Sequence, residues 1–431
     1  MSSFFNWWSA SYTTEVRYSK ESPLVVTKEQ HSNTTSVGLR DFVERRCPSL
    51  YSEFRPAWWL PNGHMQTLYC VLGKFSARDK VVYKRTLLRL LDGGTLGLDF
   101  TPVDDSHLPP DTPIIVVLHG THRRAILSPA CMPVHQGGLG YRAVVVNFRG
   151  CAGVPVTSPQ LYSAGHTDDL RQALFYISHR YPEAPLLGLS FSLGANVMTR
   201  YVAEEGERSR LKSACILGCV HRLFATYIGR HVYSKGMGRN LVNLLKRHLG
   251  TFNPDHEVAK AAAVTIALTN PTIDLFDEHF TRIGGGSSPP WPFASANDYY
   301  EYSSSHNVLS TIKIPLLAIN AADDPVVQDV PMDVEGDGWV IMALTPCGGH
   351  LGWFEPDEGW GQVRRWIKRP VVEWLRATGE DFVRSPPRWR PLHEEGGFLK
   401  EVGIDRLGCR ELDGSNIIVG TEGEAGLLAG L

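Results

Sequence analysis

Ser190 and Ser192 stand one residue apart in PLLGLSFSLGANVM (185–198), where an apolar run gives way to small residues. A serine hydroxyl is a weak nucleophile until a base takes its proton, so the stretch suits acyl transfer only if other parts of that machinery are present. The turn that presents such a serine is so tight that the residues two before and two after it must be small. Ser192 meets this with Ser190 before it and Gly194 after it, and Ala195 follows. Ser190 would have Gly188 and Ser192 as flanks, but Phe191, Ser192 and Leu193 would fill the turn before any glycine. Ser192 is therefore the expected nucleophile. By itself the pentapeptide also suits an ordinary strand–helix turn, so the partners decide.

With this turn the chain order is serine, then acid, then histidine. Of the 16 histidines, one lies late, after an apolar run and inside a glycine loop: His350 in VIMALTPCGGHLGWFEP (340–356). Such a loop can bring an imidazole over the end of a sheet. The acid is expected in PLLAINAADDPVV (315–327). Two adjacent carboxylates cannot both face one imidazole. Asp324, immediately before Pro325, is the expected partner, and Asp323 is expected to cap or brace the turn. The oxyanion needs two fixed backbone N–H groups. The residue after the nucleophile, Leu193, offers one. The other is expected from Thr121, which follows the strand ending in His119-Gly120. His119 precedes the serine and is read as a support for that loop, not as the base.

These residues need a scaffold. From Leu87 to about Leu375 short apolar runs alternate with helical patterns: LLRLL (87–91), TLGLDF (95–100), IIVVLH (114–119), AVVVNF (143–148), LLGLS (186–190), ACILGC (214–219), LLAIN (316–320) and VIMAL (340–344). Several are continuously apolar, as parallel strands buried on both faces are. DLRQALFYISHR (169–180), NVMTRYVAEEG (196–206) and GWGQVRRWIKRPVVEWLRAT (359–378) have helical period. Thr167, Asp168 and Asp169 supply a cap and first-turn acids to the first of these. Strand–helix alternation implies an α/β fold with a mostly parallel central sheet flanked by helices. Residues 1–45 read as an extension, 46–380 as the main domain and 381–431 as a loosely ordered tail. Residues 221–305 break the rhythm and read as an insertion over one end of the sheet. Within it RLFATYIGRHVYSKGMGRNLVNLLKRHLG (222–250) has an apolar helical face of Leu241, Leu244, Leu245 and Leu249 with basic residues beside it.

Composition narrows the class. A 431-residue chain that is 43% hydrophobic and 20% charged, with formal net charge −2, is globular and has no basic field to attract nucleic acid. Its eight cysteines form no CxxC pair and no compact set with histidine, so neither zinc nor a disulfide framework is expected, and no cofactor. The apolar run in MSSFFNWW is too short for a signal peptide, and none approaches the roughly 20 residues that span a bilayer. The expectation is an intracellular enzyme, cytoplasmic or peripherally associated with a membrane or lipid droplet through a cluster such as FFNWW.

Nine ordered motifs extend the match. They are WLPNGHMQT (59–67), DGGTLGLDF (92–100), HG (119–120), VVNFRGCAG (145–153), LYSAGHTDDLR (161–171), SFSLGANVM (190–198), DYYEYSSS (298–305), IPLLAINAADDP (314–325) and GGHLGWFE (348–355). Over about residues 55–374 the chain resembles the YheT-like α/β-hydrolases, which include fungal medium-chain fatty acid ethyl ester synthase/esterases and acylglycerol and phospholipid hydrolases. The resemblance implies an α/β-hydrolase fold and a triad of Ser192, Asp324 and His350. It departs where His119-Gly120 is followed by Thr-His-Arg-Arg instead of a glycine-rich segment, and where RGCAGVP replaces RGCGG. Asn62, His64 and Gln66 are expected to brace either the acyl pocket or, the favoured reading, only an N-terminal loop, and GHTDDL to cap a helix and hold a buried hydrogen-bond network.

The implied activity is a serine carboxylic-ester hydrolase acting on medium-chain fatty acyl esters or acylglycerols, with ester synthesis open to the same acyl-enzyme if an alcohol replaces water. No histidine begins a His-x-x-x-x-Asp acyltransferase motif, which favours hydrolysis. The alternative is a non-catalytic hydrolase scaffold that binds a lipid or a partner. Dehalogenases and epoxide hydrolases would need aspartate at position 192.

Overall fold

The structure, a computed structural model, describes residues 11–28, 34–73, 81–118, 130–132, 134–219, 222–223, 232–333, 336–384, 388–414 and 416–419. The apolar runs are the strands of its central sheet: Val82–Leu90 (β1), Thr95–Thr101 (β2), Ile114–Leu118 (β3), Arg142–Asn147 (β4), Leu186–Phe191 (β5), Leu211–Leu217 (β6), Leu316–Ala321 (β7) and Val340–Thr345 (β8). Their spatial order is β1-β2-β4-β3-β5-β6-β7-β8. β1, β2 and β4 pair antiparallel, and every pairing from β4 to β8 is parallel.

The continuous apolar character of β3 follows from burial on both faces. Ile115 and Val117 join one core with Leu189, Ile319 and Trp374, while Ile114, Val116 and Leu118 join the other with Leu174, Val197 and Ile216. Fully burying each such side chain contributes about 1.5–3 kcal/mol. The helices used below are Gly63–Leu72 (α1), Asp168–Arg180 (α2), Leu193–Glu205 (α3), Ser234–His248 (α4), Glu257–Ile266 (α5), Ala296–Ser303 (α6) and Lys368–Arg376 (α7). α2 and α3 cover the second core and α7 the first.

Described residues within 15–38 and 392–419 form strands that their composition does not suggest. Within the expected extension, Glu15–Tyr18 adds an antiparallel strand to β8, and Leu24–Lys28 pairs with Thr34–Gly38. Within the expected loose tail, Cys409–Glu411 and Asn416–Val419 pair with β1, and Phe398–Glu401 and Leu392–Glu395 continue the sheet. The cause is a few inward residues in a polar sequence: Leu399, Leu407 and Cys409 are buried, and Glu401 forms a 2.6 Å ion pair with the buried Arg210. The pattern at 359–378 also divides. Gly359 and Gly361 adopt positive φ, Val363–Arg365 pairs with Phe354–Pro356, and helix begins only at Lys368.

Candidate active site

The chain leaves β5 through Ser192, whose φ of 49° and ψ of −122° lie outside the regions open to ordinary residues. Such a conformation costs on the order of 1–3 kcal/mol and persists only where its surroundings hold it. Here the Ser192 N–H donates to the Leu217 carbonyl of β6 at 2.9 Å, and α3 begins at the next residue. Gly194 explains the small-residue rule: a Cβ there would sit 2.9 Å from Leu118 Cβ at the end of β3. Ser190 lies wholly buried within β5, and its hydroxyl has no partner among the described residues.

Ser192, His350 and Asp324 meet in a line. His350 Nε2 lies 2.8 Å from Ser192 Oγ, and His350 Nδ1 lies 2.8 Å from Asp324 Oδ2. The other oxygen, Asp324 Oδ1, accepts N–H groups of Val326 at 2.7 Å and Val327 at 3.0 Å. A carboxylate with both oxygens accepting leaves the proton on Nδ1, so Nε2 faces the serine hydroxyl as an acceptor. All three residues are buried, with 4%, 3% and 1% exposure for Ser192, Asp324 and His350. The interaction therefore acts with little screening by water.

Asp323 supports the same loop from the side. Its Oδ1 accepts the Gly349 N–H at 2.9 Å. Burial, joined by the charge of Asp324, pushes its carboxyl up, while N–H groups of Gly349, Gly348 and Gly63 pull it back. Gly349 has φ +59°, and a Cβ on it would lie 2.3 Å from the Gly63 carbonyl oxygen. A side chain there would drive the histidine loop off α1.

The WLPNGHMQT segment does more than the expected bracing. Asn62 caps α1 by accepting the Met65 N–H at 3.0 Å. Thr67 Oγ1 accepts the His350 N–H at 2.8 Å and donates to the Gly63 carbonyl at 2.7 Å. Gln66 accepts from Phe354 N–H at 2.8 Å and donates to the Leu60 carbonyl at 2.8 Å. The backbone of the histidine is thus fixed by a helix 283 residues earlier in the chain. His64 holds no triad residue; its ring stacks on Tyr233. Thr67 is the residue whose site role the sequence concealed, and the quoted motif was its only signal; Asp323, expected to cap or brace its own turn, braces the histidine loop.

Other motifs brace α3. Asn196 donates to the carbonyls of Ala164 at 2.9 Å and Ser303 at 2.8 Å, tying the LYSAGHTDDLR and DYYEYSSS segments to the helix after Ser192. In GHTDDL, Asp169 pairs with the buried Arg149 at 2.7 Å. Thr167 occupies the cap position of α2 but makes no side-chain cap bond; its hydroxyl donates to Glu204 instead at 2.6 Å.

Leu193 is the first residue of α3, so its N–H has no partner within the helix and lies beside Ser192. Thr121, with His119 and Gly120, falls in 119–129, outside the described residues.

Between β6 and β7 the chain forms α4, α5 and α6. At one end of α4, Tyr233 stacks on His64, and burial together with the charge of Asp324 raises its hydroxyl pKa. At the other end His248 Nε2 would be 3.3 Å from a Cβ on Gly150, in the loop after β4. Its 15 residues rise about 22 Å, close to the roughly 19 Å that separates β7 from β4 across the sheet. The two ends of the helix thus lie beside the loops that follow β7 and β4. Leu244 and Leu245 are buried and Leu241 half-buried, whereas Leu249 is 37% exposed and lies beyond the helix.

Comparison with known proteins gives the same architecture a lineage. No family model matches the chain. It is 28% identical over 409 residues to the monoacylglycerol lipase of Saccharomyces cerevisiae, covering 83% of this chain and 88% of that one. It is 30% identical over 349 residues to the embryogenesis-associated protein EMB8 of Picea glauca, covering 77% and 73%. It is 26% identical over 427 residues to the medium-chain fatty acid ethyl ester synthase/esterase 2 of Saccharomyces cerevisiae, covering 81% and 92%. The chain belongs to the α/β-hydrolase family, among the carboxylic ester hydrolases that these lipases and esterases represent.

Proposed function

We propose that the chain hydrolyses medium-chain fatty acyl esters or acylglycerols through Ser192, His350 and Asp324. The observation that carries this reading is the pair of 2.8 Å contacts joining Ser192 to His350 and His350 to Asp324, with Ser192 in a strained strand–helix turn. Ser192 Oγ attacks the ester carbonyl as His350 Nε2 takes its proton. Asp324 stabilises the imidazolium, which returns the proton to the leaving alcohol. The N–H groups of Leu193 and Thr121 hold the oxyanion. Water, activated by the same histidine, then releases the acid. An alcohol in place of water gives ester synthesis from the same intermediate. The relatives named monoacylglycerol lipase and medium-chain fatty acid ethyl ester synthase/esterase 2 support the substrate class.

In this reading residues 46–380 are the catalytic domain and 221–305 its lid, with α4 above the acyl chain. Each methylene buried under α4 contributes about 0.8 kcal/mol, or about fourfold in kcat/KM. A panel of esters from acetyl to dodecanoyl tests this. The expected result is kcat/KM that climbs to medium chains and falls with polar substitution at Leu241, while acetate-ester turnover stays. A flat profile in the unsubstituted chain would reject the substrate class, and turnover that survives Ser192→Ala would reject the mechanism.

A further inference from the structure

The outer face of α4 carries charge that the fold does not use. Its inner side is buried at Gly238, Val242, Leu244 and Leu245. At 100° per residue, Lys235, Arg239, Lys246 and Arg247 fall within about 120° on the opposite side. Arg239, Lys246 and Arg247 are exposed. No acidic residue occurs from 232 to 250, and among the described residues none of the four bases makes an ion pair. A solvated helix face in a protein of net charge −2 ordinarily mixes signs.

A second exposed feature, an apolar stripe, lies on the helix that meets the head of α4. On α1, Met65, Leu68 and Leu72 recur at helical spacing and are 43%, 54% and 52% exposed. Val232, at the start of α4, is 61% exposed. The two helices touch where His64, next to Met65, stacks on Tyr233, next to Val232. α1 is tied to the site through Thr67, which accepts the His350 N–H, and Tyr233 at the head of α4 lies near enough to Asp324 to feel its charge.

We propose that the basic face of α4 and the apolar stripe of α1 with Val232 together dock the protein on an anionic lipid surface. The proposal rests on the ester-hydrolase reading, because it supplies that site with lipid-borne ester. Two features select this occupant. Basic side chains are drawn to anionic headgroups while neighbouring apolar ones insert below them. A second copy is disfavoured by charge, since the face would meet its own positive stripe, and by size, since four part-exposed apolar side chains fall short of the about 800 Å² per partner typical of stable interfaces. An acidic macromolecule would use the bases but leave the apolar stripe in water.

Full-length protein is sedimented with vesicles of phosphatidylcholine alone or containing phosphatidylserine, at low and high salt. The expected result is salt-sensitive binding to the anionic vesicles. Each basic side chain is worth about fivefold in partition, so Arg239→Gln/Lys246→Gln/Arg247→Gln should lose on the order of a hundredfold. Leu68→Gln/Leu72→Gln should also weaken binding, at unchanged salt sensitivity. Both variants should keep the unsubstituted chain's melting temperature and its turnover of a water-soluble acetate ester. Equal binding by the triple variant, or equal binding to neutral vesicles, would overturn the proposal. Tighter binding to duplex DNA than to vesicles, indifferent to the leucine substitutions, would overturn it in favour of a nucleic-acid partner. Vesicle binding by a chain that turns over no ester would instead reject the proposed function and leave the docking face standing.

Discussion

Replacing Asp324 by asparagine separates the two adjacent carboxylates. Asp324 Oδ1 accepts two N–H groups, from Val326 and Val327, so in the variant that place keeps the amide oxygen. The amide nitrogen then falls where Oδ2 stood, 2.8 Å from His350 Nδ1. A donor there forces Nδ1 to accept, which moves the imidazole proton to Nε2 and points it at Ser192. The histidine can no longer take the serine proton, and loss of the correct tautomer costs on the order of 10⁴ in kcat. Asp323→Asn behaves differently. Its acceptors hold backbone N–H groups of the histidine loop and α1, so one acceptor becomes a donor facing a donor. An unsatisfied buried donor costs about 1–3 kcal/mol of stability. The assay is hydrolysis of a nitrophenyl ester alongside urea unfolding. Equal rate losses in the two variants at equal stability would refute the division.

Thr67→Val removes the acceptor of the His350 N–H and should lower kcat about tenfold with little change in KM; Thr67→Ser should restore it, and a KM effect alone would contradict the positioning role. Burial pushes the Asp277 carboxyl up to about 6 from 3.8, against hydrogen bonds from Thr281 and Tyr300. The folded chain therefore binds that proton more tightly than the unfolded one, and native stability falls as pH rises from about 4 to 6. Asp277→Asn should gain on the unsubstituted chain across that window, by up to about 3 kcal/mol; a gain that shrinks with rising pH would refute it.

The strands β3, β4, β5 and β7 were legible because burial on both faces leaves a continuous apolar run. The turn at Ser192 was legible because its steric demand is local: Gly194 must be small where Leu118 closes in. The tail strands were not. LHEE and FLKE point mostly to water, and only Leu399 and Glu401 are buried there, so composition resembles a loose segment. The role of Thr67 was hidden because its partner is 283 residues away, a distance no local pattern spans. The 359–367 stretch misled because Trp360, Val363 and Ile367 fall at i, i+3 and i+7, although Trp360 is 92% exposed in a glycine turn and Val363 is buried in a strand. Thr121 lies outside the described residues and stays an expectation from His119-Gly120.

The central claim is that Ser192 is the nucleophile. Its most direct test is labelling with a fluorophosphonate, which phosphonylates an activated serine, followed by peptide mass spectrometry. The account predicts an adduct on Ser192, abolished in Ser192→Ala and retained in Ser190→Ala. An adduct on Ser190, or labelling that survives Ser192→Ala, would contradict it.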